Sequence, residues 1–470
     1  MGGWGASALP GTVADVPETT VMWFRRDLRL ADNPALLDAC GTGDGGGTLP
    51  LFVLDPALWG PAGVSRRWYL AASLRALDAS LRQRSAGLSV VRGDPVRQVV
   101  LAAKEVGASR VHVAADYGPY GHQRDLDVEQ ALSEAGIELV RTGSPYAVAP
   151  GRVKNGSGAS YKVYTPFSRA WSEHGWREPV DAPTGASWLS LEKTVDIPSP
   201  DLPAGLELPE AGERAARRRW QAYVDDGLTD YDDTRDRPDL DATSRMSVHL
   251  KWGEIHPRTM LADLKGRTGT GATSYKRELA FREFYADVLF AQPESAREYL
   301  RREFAAMPYD EPGDQLTAWQ EGRTGFPVVD AGMRQLRATG WMHNRVRMIV
   351  ASFLVKDLHL EWQHGARHFL QWLVDGDLAS NQHGWQWTAG CGTDAAPYFR
   401  VFNPTTQGAK FDPDGSYVRR WVPELADVPT KHVHEPSASP DGLPEGYPEP
   451  IVDHKEERQE ALARYERIKQ

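Results

Sequence analysis

The sequence predicts two domains of different class, an α/β domain with a parallel sheet followed by a larger all-α domain. In the first third, strand candidates alternate with helical patterns such as SRRWYLAASLRALDASLRQRSA, which is typical of a parallel sheet covered by helices. Beyond residue 210, apolar residues recur at three- and four-residue spacing almost to the end, which indicates helices. We expect a disordered leader at 1–19, the α/β domain at 20–148, a connector at 149–209 and the helical domain at 210–470.

Five apolar segments are the candidate strands: VMWF, LPLFVLDP, LSVVRGDP, VHVAADYG and IELVRTGS. After the first strand, Asn33 and Pro34 are the residue types that begin a helix. Later strands end at Asp55, Asp94 and Asp116, and the carboxyl edge of an open parallel sheet is where ligands bind. No GxGxxG sequence opens a helix here, which argues against an ordinary dinucleotide site.

The predicted connector is rich in Pro, Gly and Ser, as in NGSGAS, EPVDAPTGAS and DIPSPDLPAG. Within it, YTPFSRAWSEHGW has enough aromatic side chains to form a packed element. The final predicted helix, DHKEERQEALARYERIK, has the charged surface of a solvated helix.

Composition excludes several classes of protein. The 470 residues carry a formal net charge of −10, which argues against non-specific coating of nucleic acid but allows a local basic surface. Two cysteines, Cys40 and Cys391, are too few for a disulfide framework or a zinc cluster, so we expect no metal and a reducing, cytoplasmic setting. No apolar run reaches the length of a membrane span, and the first twenty residues do not resemble a secretory signal. The 16 tryptophans are unusual and suggest stacking surfaces or redox chemistry.

Residues 375–408 concentrate side chains that are costly to bury without a purpose. Asp375 and Asp377 flank a glycine, and Trp385 and Trp387 are two residues apart. Side chains two apart on a helix point to different sides, so the two indoles should have different surroundings. This segment is the leading candidate for a functional site.

Two further segments carry polar groups that suit a bound ligand. Asp241–Ser247 is a hydroxyl-rich loop before a helical pattern, which fits either a phosphate site at a helix start or simple helix capping. Arg347 lies on a segment that becomes strongly apolar, so it needs a carboxylate partner, and Asp375 or Asp377 is the natural candidate.

The motifs TSRMS, RELAFREFY, EGRTGFPVVDAGMRQL, GWMHNRVRM, DGDLASNQHGWQW and GTDAAPYFRVFNPTTQG, with WFRRDLRLADN near the start, resemble those of the DNA photolyase/cryptochrome family. The resemblance covers residues 20–470 in the family's order and is greatest to class I cyclobutane pyrimidine dimer photolyases. It implies a Rossmann-like α/β antenna domain and a helical domain that binds FAD in a U shape. The implied activity is that of a carbon–carbon lyase, which repairs UV-damaged DNA by light-driven electron transfer from reduced FAD.

The resemblance also implies which residues contact FAD. Arg347 would pair with Asp375. Asn381 would face flavin N5, where its amide cannot itself supply or remove a proton; signalling relatives tend to carry another residue there. The implied FAD contacts are Tyr231, Thr243, Ser244, Arg245, Met246, Ser247, Asn344, Arg347, Asp375, Asp377 and Asn381.

The implied lesion pocket receives a dimer turned out of the DNA helix, which is cheap for a poorly stacked lesion. Glu278 resembles the carboxyl group that hydrogen-bonds the dimer. The other implied contacts are the apolar or stacking residues Phe281, Met348 and Trp387, and the phosphate-binding arginines Arg282, Arg345 and Arg400.

The sequence departs from the family pattern at three aromatic positions. Trp385 and Trp362 match the inner and middle tryptophans of the photoreduction chain, but Tyr309 stands at the outer position. Oxidation of tyrosine requires loss of its proton, so the last hop should be slower. Phe281 and Tyr275 stand where tryptophan is common, and the smaller Phe281 should lower affinity for the lesion.

An antenna chromophore is also implied. DYGPYGHQRD resembles the deazaflavin-binding type more than the methenyl-tetrahydrofolate type, with Arg25, Arg26, Asp55 and Asp116 as contacts. The alternative is a loop at the sheet end that binds no ligand.

Two other functions stay open, a cryptochrome-like blue-light sensor and a photolyase for the six-four photoproduct. The short segment after the last predicted helix favours an enzyme over a sensor. Six-four photolyases carry histidines where this chain has Asn344 and Arg345, although His343 is adjacent. We expect a monomer.

Overall fold

The computed structural model describes residues 18–41, 46–393 and 399–469. Most of the expected leader, residues 1–17, lies outside this range, and Thr19 already belongs to the first strand. The N-terminal part contains one five-stranded parallel sheet of order β3-β2-β1-β4-β5. Its strands are β1 Thr19–Phe24, β2 Gly47–Leu54, β3 Ser89–Arg92, β4 Arg110–Val113 and β5 Glu138–Arg141. The five predicted strands and their parallel arrangement are confirmed.

Five helices accompany the sheet: α1 Pro34–Cys40, α2 Pro56–Trp59, α3 Val64–Arg82, α4 Pro95–Glu105 and α5 Pro119–Glu134. The polar residues after the strands act as helix caps. Asn33 Oδ1 accepts from Leu36 N at 3.2 Å, as predicted, and Asp55 caps α2 in the same way. Because strand order reverses between β1 and β4, the carboxyl ends of these two strands form the switch point at which ligands bind in such sheets.

Alternating strand residues build two apolar layers. Val21 and Trp23 pack on one face of the sheet, and Met22 and Phe24 pack on the other. All four are buried, as expected for a parallel sheet covered on both sides.

The predicted packed element of the connector is helix α6, Tyr164–His174. Phe167 and Trp171 are buried in a core cluster that includes Trp220 and Phe284 of the helical domain. The Trp171 indole donates to Glu283 at 2.6 Å, which also accepts from Val148 N. These contacts attach the connector to the helical domain. The domain boundaries stay predictions.

The helical domain contains thirteen further α-helices among the described residues. They are α7 Glu213–Asp226, α8 Tyr231–Thr234, α9 Ser247–Trp252, α10 Pro257–Asp263, α11 Thr270–Ala291, α12 Asp314–Glu321, α13 Pro327–Thr339, α14 Asn344–Lys356, α15 Trp362–Trp372, α16 Leu378–Ala389, α17 Pro404–Phe411, α18 Ser416–Trp421 and α19 His454–Arg467. Short 3-10 helices lie at Pro293–Ala296, Arg302–Ala306, Pro423–Leu425, Thr430–His432 and Pro436–Ala438.

The segment after β1 joins the two domains. Arg258 of α10 pairs with Asp32 at 2.7 Å, and Arg29 donates to Gly253 O at 2.9 Å. All three charged side chains are buried. No helix in the described ranges is long and apolar enough to cross a membrane.

Candidate functional site

Helix α14 and the start of α16 are joined by the ion pair that the sequence predicts. Arg347 Nη2 lies 2.8 Å from Asp375 Oδ2 and 3.1 Å from Oδ1. Arg347 Nε donates to Met342 O at 2.8 Å, so the guanidinium is held from two directions. The Asp375 side chain is 2% exposed and that of Arg347 is 25% exposed. The pair thus holds the segment just before α16 in place, on the side where Arg347 is partly exposed to solvent.

Asp377 caps α16 and meets the other domain. Its Oδ1 accepts from Ser380 N at 3.1 Å, and its Oδ2 lies 2.7 Å from Arg26 Nη2. Burial alone would raise the pKa of Asp377, but Arg26, Lys251 and Arg282 hold it below its usual range. Burial lowers the pKa of Lys251 to about 7. Asp377 therefore stays ionised among three basic side chains.

Two of the predicted ligand-binding arginines make contacts that the sequence did not predict. Arg26, an expected antenna contact, pairs with Asp377 in the helical domain and is also the first of the charges that lower the pKa of Asp116. Arg282 was expected to meet DNA phosphates, but it donates to Pro145 O at 3.0 Å and lies over the Tyr146 ring. Both lie close enough to Asp377 to lower its pKa.

Asn381 lies one helical turn after Asp377 and is buried. Its Nδ2 donates to Ala366 O at 3.1 Å and to Gln382 Oε1 at 2.8 Å. With the amide nitrogen engaged in this way, Oδ1 is the atom left to accept from an N–H donor.

The hydroxyl-rich loop precedes α9 as predicted, with Ser247 as the first helical residue. Arg245 has a positive φ of 53°, which is uncommon for a side chain of this size. Its guanidinium stacks 4.8 Å from the Trp341 ring and pairs with Asp241 at 2.8 Å, while its buried Nε has no partner among the described residues. Ser244 Oγ lies 2.7 Å from the Tyr275 hydroxyl.

Tyr275 belongs to an aromatic group below this loop. Its ring lies 5.2 Å from Tyr231, the first residue of α8, and 5.6 Å from Tyr223. A cavity of about 660 Å³ opens on the α7 side of the loop and is lined by Thr243 and Ser244. Because neither Asp377 nor Asn381 lines it, this cavity does not by itself define the site.

Glu278 on α11 pairs with Arg235, whose neighbour Asp236 forms a second ion pair. Arg235 Nη2 is 2.8 Å from Glu278 Oε1, and Arg345 Nη2 is 2.8 Å from Asp236 Oδ2. Burial raises the pKa of Glu278, although Arg235 opposes the shift. A carboxyl group with a raised pKa is more readily protonated and can then donate a hydrogen bond.

Phe281 lies one turn beyond Glu278 and stacks on Tyr164 of the connector. The ring centroids are 3.4 Å apart and the planes differ by 7°. Tyr164 also donates to Arg277 O at 2.8 Å. Sequence reasoning did not select Tyr164, whose only signal was the aromatic content of the connector segment.

Met348 and Trp387 are both half-buried. The Met348 sulfur lies 3.9 Å from Asn344 Nδ2. Arg400 is exposed, and its carbonyl accepts from the buried Lys356 ammonium. The described residues therefore put polar Asn344 and thioether Met348 together on the first turns of α14.

Trp385 points into the core, while Trp387 remains half-buried, so the two indoles differ as predicted. Trp385 lies edge-on to Phe369 at 5.0 Å and to Trp319 at 6.1 Å. A Cβ added at Gly365 would lie 2.0 Å from Trp385 Cη2. Glycine at that position of α15 is what lets the indole pack against the helix.

Trp362 and Tyr309 lie in the same region but are not adjacent as ring pairs. Trp362 is fully buried and meets Tyr299 edge-on at 6.2 Å. Tyr299 in turn stacks on Tyr309 at 6.0 Å. Tyr299 was not selected from the sequence, because nothing local distinguishes it.

The remaining predicted antenna residues lie at the carboxyl edge of the sheet. Arg25 pairs with Asp125, and Arg124 lies 3.0 Å from Asp125 and 3.3 Å from Asp116. Asp55 accepts from Ala57 N at 2.9 Å and from the Tyr120 hydroxyl. We name Arg25, Asp116, Arg124 and Asp125 the sheet-edge cluster. Its members pair with one another, and Arg26 adds a further favourable charge at Asp116.

Comparison with known proteins agrees with this architecture. Residues 20–184 match the family described as DNA photolyase, and residues 275–467 match the FAD binding domain of DNA photolyase. The helical domain is thus an FAD-binding domain, and the fold is that of the photolyase/cryptochrome class.

Full-length relatives extend the match. The chain is 40% identical to deoxyribodipyrimidine photo-lyase of Escherichia coli strain K12, over 95% of this chain and 98% of that protein. Other relatives, 35% to 41% identical, carry the same name. The crystal structure of a class III photolyase from Agrobacterium tumefaciens superimposes with a TM-score of 0.91 at 38% identity, covering 98% of this chain and all of that one. A Sulfolobus tokodaii photolyase with two FAD molecules gives a TM-score of 0.84 at 30% identity, covering 96% of this chain and all of that one. The chain belongs to the DNA photolyase family.

Proposed function

We propose that this protein is a light-dependent DNA repair enzyme that splits cyclobutane pyrimidine dimers, a deoxyribodipyrimidine photolyase of class I. The observation that carries the proposal is the arrangement on α16. Asn381 is buried, Trp385 points into the core, and Trp387 remains half-buried. One helix would then supply separate groups for cofactor, electron supply and lesion.

The residues present fit FAD. Arg245 Nε and Trp385 Nε1 are buried donors without a partner among the described residues. The family's implied contacts lie around the start of α9, α14 and α16. When bound and reduced, FAD supplies an electron donor that light can excite. The Arg347–Asp375 pair would orient polar groups towards it, and Asn381 Oδ1 would accept its N–H donor.

Three basic groups support a further assignment on the cofactor side. Arg26, Lys251 and Arg282 all lower the pKa of Asp377, so three basic side chains act on this carboxylate. A group of basic side chains favours an anionic partner. We therefore assign Arg26 and Arg282 a role on the cofactor side, in addition to the expected antenna contact of Arg26 and the expected DNA contact of Arg282.

The lesion pocket would lie between α11, α14 and α16. Glu278, with its raised pKa, would donate to a carbonyl oxygen of the dimer. Phe281 on Tyr164 forms a two-ring platform on which a base can stack. Arg345 and Arg400 would contact flanking phosphates, and Met348 and Trp387 would line the walls.

An antenna chromophore at the sheet edge is a separate proposal, with a deazaflavin favoured over methenyl-tetrahydrofolate. Arg25, Asp55 and Asp116 lie at or beside the switch point. The Sulfolobus tokodaii relative holds two FAD molecules, which supports a second chromophore in the family without fixing its type. An absorption spectrum of the purified protein, with chromatography of the released pigment, distinguishes the candidates.

The partner is UV-damaged DNA, and we propose a monomer working in the cytoplasm. The deciding experiment is to illuminate reduced protein with DNA that carries either a cyclobutane dimer or a six-four photoproduct, and to measure lesion loss against a dark control. We expect loss of the cyclobutane dimer alone. Loss of the six-four photoproduct would favour the second kind of photolyase, and loss of neither would favour a sensor.

A further inference from the structure

Tyr299 occupies the space between the middle tryptophan and the outer tyrosine. Its ring centroid lies 6.2 Å from Trp362, at an interplanar angle of 89°, and 6.0 Å from Tyr309, at 21°. Trp362 is fully buried and Tyr299 is 6% exposed, while Tyr309 is half-buried. The three rings form a continuous path from the core towards the surface.

The Tyr299 hydroxyl has a base within hydrogen-bonding distance. It donates to Glu361 Oε1 at 3.1 Å. Glu361 immediately precedes α15, where a carboxylate is stabilised by the helix dipole, and its side chain makes no capping bond. The carboxylate is therefore available to the phenol of Tyr299.

Trp362 lacks a comparable partner. Its Nε1 is buried without a hydrogen-bond partner among the described residues. A Trp362 radical cation would keep its proton, since no base lies beside the nitrogen. It would remain a strong oxidant for the nearest phenol.

We propose that Tyr299 and Glu361 form a proton-coupled redox site, which is a further catalytic unit for reduction of the cofactor and rests on the proposed function. The oxidant would be the Trp362 radical cation, left when Trp362 gives an electron inward to Trp385; bound FAD would supply the light-driven oxidising power. One electron passes from Tyr299 to Trp362, the Tyr299 O–H bond breaks, and the proton goes to Glu361 Oε1. Trp362 is restored, and Tyr299 becomes a neutral radical.

Tyr309 completes the path. It returns one electron and one proton to Tyr299, so the radical moves outward by one ring. Burial, the Tyr309 phenol and the Glu361 carboxylate all raise the pKa of Tyr299, so this phenol is protonated before oxidation. Proton transfer must therefore accompany loss of its electron.

The test is transient absorption of the oxidised, FAD-loaded protein after a light pulse, in H₂O and D₂O. Tyr299→Phe should lengthen the lifetime of the tryptophan radical severalfold and abolish the neutral tyrosyl signal. Glu361→Gln should slow tyrosyl formation, and Glu361→Asp should restore part of the rate. The rate in unmodified protein should fall in D₂O, and this effect should shrink in Glu361→Gln.

Tyr447→Phe is the matched control. Tyr447 is also a buried tyrosine of this domain, 5% exposed, and it donates to the Asp330 carboxylate at 2.8 Å. Its removal costs a similar hydrogen bond, so effects of general loosening would appear in both variants. Radical kinetics in Tyr447→Phe should equal those of unmodified protein.

Two outcomes separate this inference from the proposed function. Unchanged radical decay in Tyr299→Phe, together with a long-lived radical in Tyr309→Phe, would overturn the role of Tyr299. Radicals that behave as described in a protein that repairs neither lesion would support Tyr299 and overturn the proposed function.

Discussion

The sheet-edge cluster and the polar groups around α16 lie on either side of the domain interface, and they satisfy their charges differently. At the sheet edge, Arg25, Arg124, Asp116 and Asp125 pair with one another. In the helical domain, by contrast, the buried donors Arg245 Nε, before α9, and Trp385 Nε1, on α16, have no partner within the described part of the chain. An unpartnered buried donor costs free energy, so the helical side is arranged for a bound group.

The two regions should therefore respond differently to a bound ligand. The sheet-edge cluster is complete without a ligand, so a chromophore there would add contacts or displace existing ones. The helical site is incomplete alone, and cofactor binding should contribute directly to its stability. Variants on the helical side should therefore have the larger effects.

The largest effect is expected from Trp385→Phe. Loss of the indole removes the inner donor of the path, so light-driven reduction of oxidised FAD should slow by about tenfold or more. Repair by chemically reduced protein should persist, because that reaction needs no new electron. Flavin absorbance under illumination measures the first rate, and lesion loss measures the second.

Trp319→Phe is the control for that variant, since Trp319 is buried 6.1 Å from Trp385. It should photoreduce normally. Normal photoreduction in Trp385→Phe would refute the assignment of Trp385.

Asp375→Asn should have the next largest effect. It leaves Arg347 beside a neutral group in a largely buried site, which costs about 3 kcal/mol. Bound FAD should also fall, because the pair orients the start of α16. Urea unfolding and the flavin-to-protein absorbance ratio measure the two losses.

Glu424→Gln provides the comparison. Glu424 pairs with Arg334 at 2.7 Å, with side chains 28% and 22% exposed. Such a pair contributes about 1 kcal/mol or less, and FAD content should not change. Equal losses in both variants would mean that Asp375 has only a structural role.

Much of the fold was predictable because its signals are local. Strand alternation and the Asn33 cap depend on neighbouring residues, and both predictions are confirmed. The pairing of Arg347 was predictable as well, because a buried arginine requires a carboxylate. The role of each site residue still depends on the resemblance.

The remaining features depend on contacts between distant segments. Arg26 follows β1, and its contact with Asp377 exists only because the domains pack together. Tyr164 stacks on Phe281 and Tyr299 meets Trp362, and each of these partners is more than one helix away in sequence. Hydrophobic periodicity predicts that these side chains are buried, but it does not predict which aromatic ring each of them packs against.

Asp116→Asn tests the sheet-edge cluster. Burial alone would raise the pKa of Asp116, but Arg26, Arg124 and Arg25 hold it at about 2. Because its pKa is lower in the folded state, the Asp116 carboxylate stabilises the fold at pH values above its unfolded-state pKa of about 3.9. This contribution is lost as the pH falls towards about 2. Asp116→Asn should cost about 1–2 kcal/mol near neutral pH.

The pH profile makes this prediction specific. Unfolding free energy of the unmodified protein should drop between about pH 4 and pH 2 more steeply than that of Asp116→Asn. FAD content should stay constant, because Arg26 keeps its ion pair with Asp377 in this variant. Loss of FAD in Asp116→Asn would instead couple the sheet edge to the helical site.

Phe281→Trp should have the smallest effect and addresses the lesion side of the helical site. A larger ring adds stacking area. Since full stacking of a base contributes about 1–3 kcal/mol to binding, enlarging one ring should add about 0.5 kcal/mol to the binding free energy of the lesion. Phe281 already stacks on Tyr164 at 3.4 Å, and this second ring compensates for part of the missing area. Binding of dimer-containing DNA by Phe281→Trp should therefore improve only about twofold. Tyr164→Leu should weaken binding. When Phe281→Trp is added to Tyr164→Leu, its gain in affinity should be larger than in the unmodified protein. Equal gains in both backgrounds, measured by titration at fixed salt, would show that Tyr164 does not support the platform.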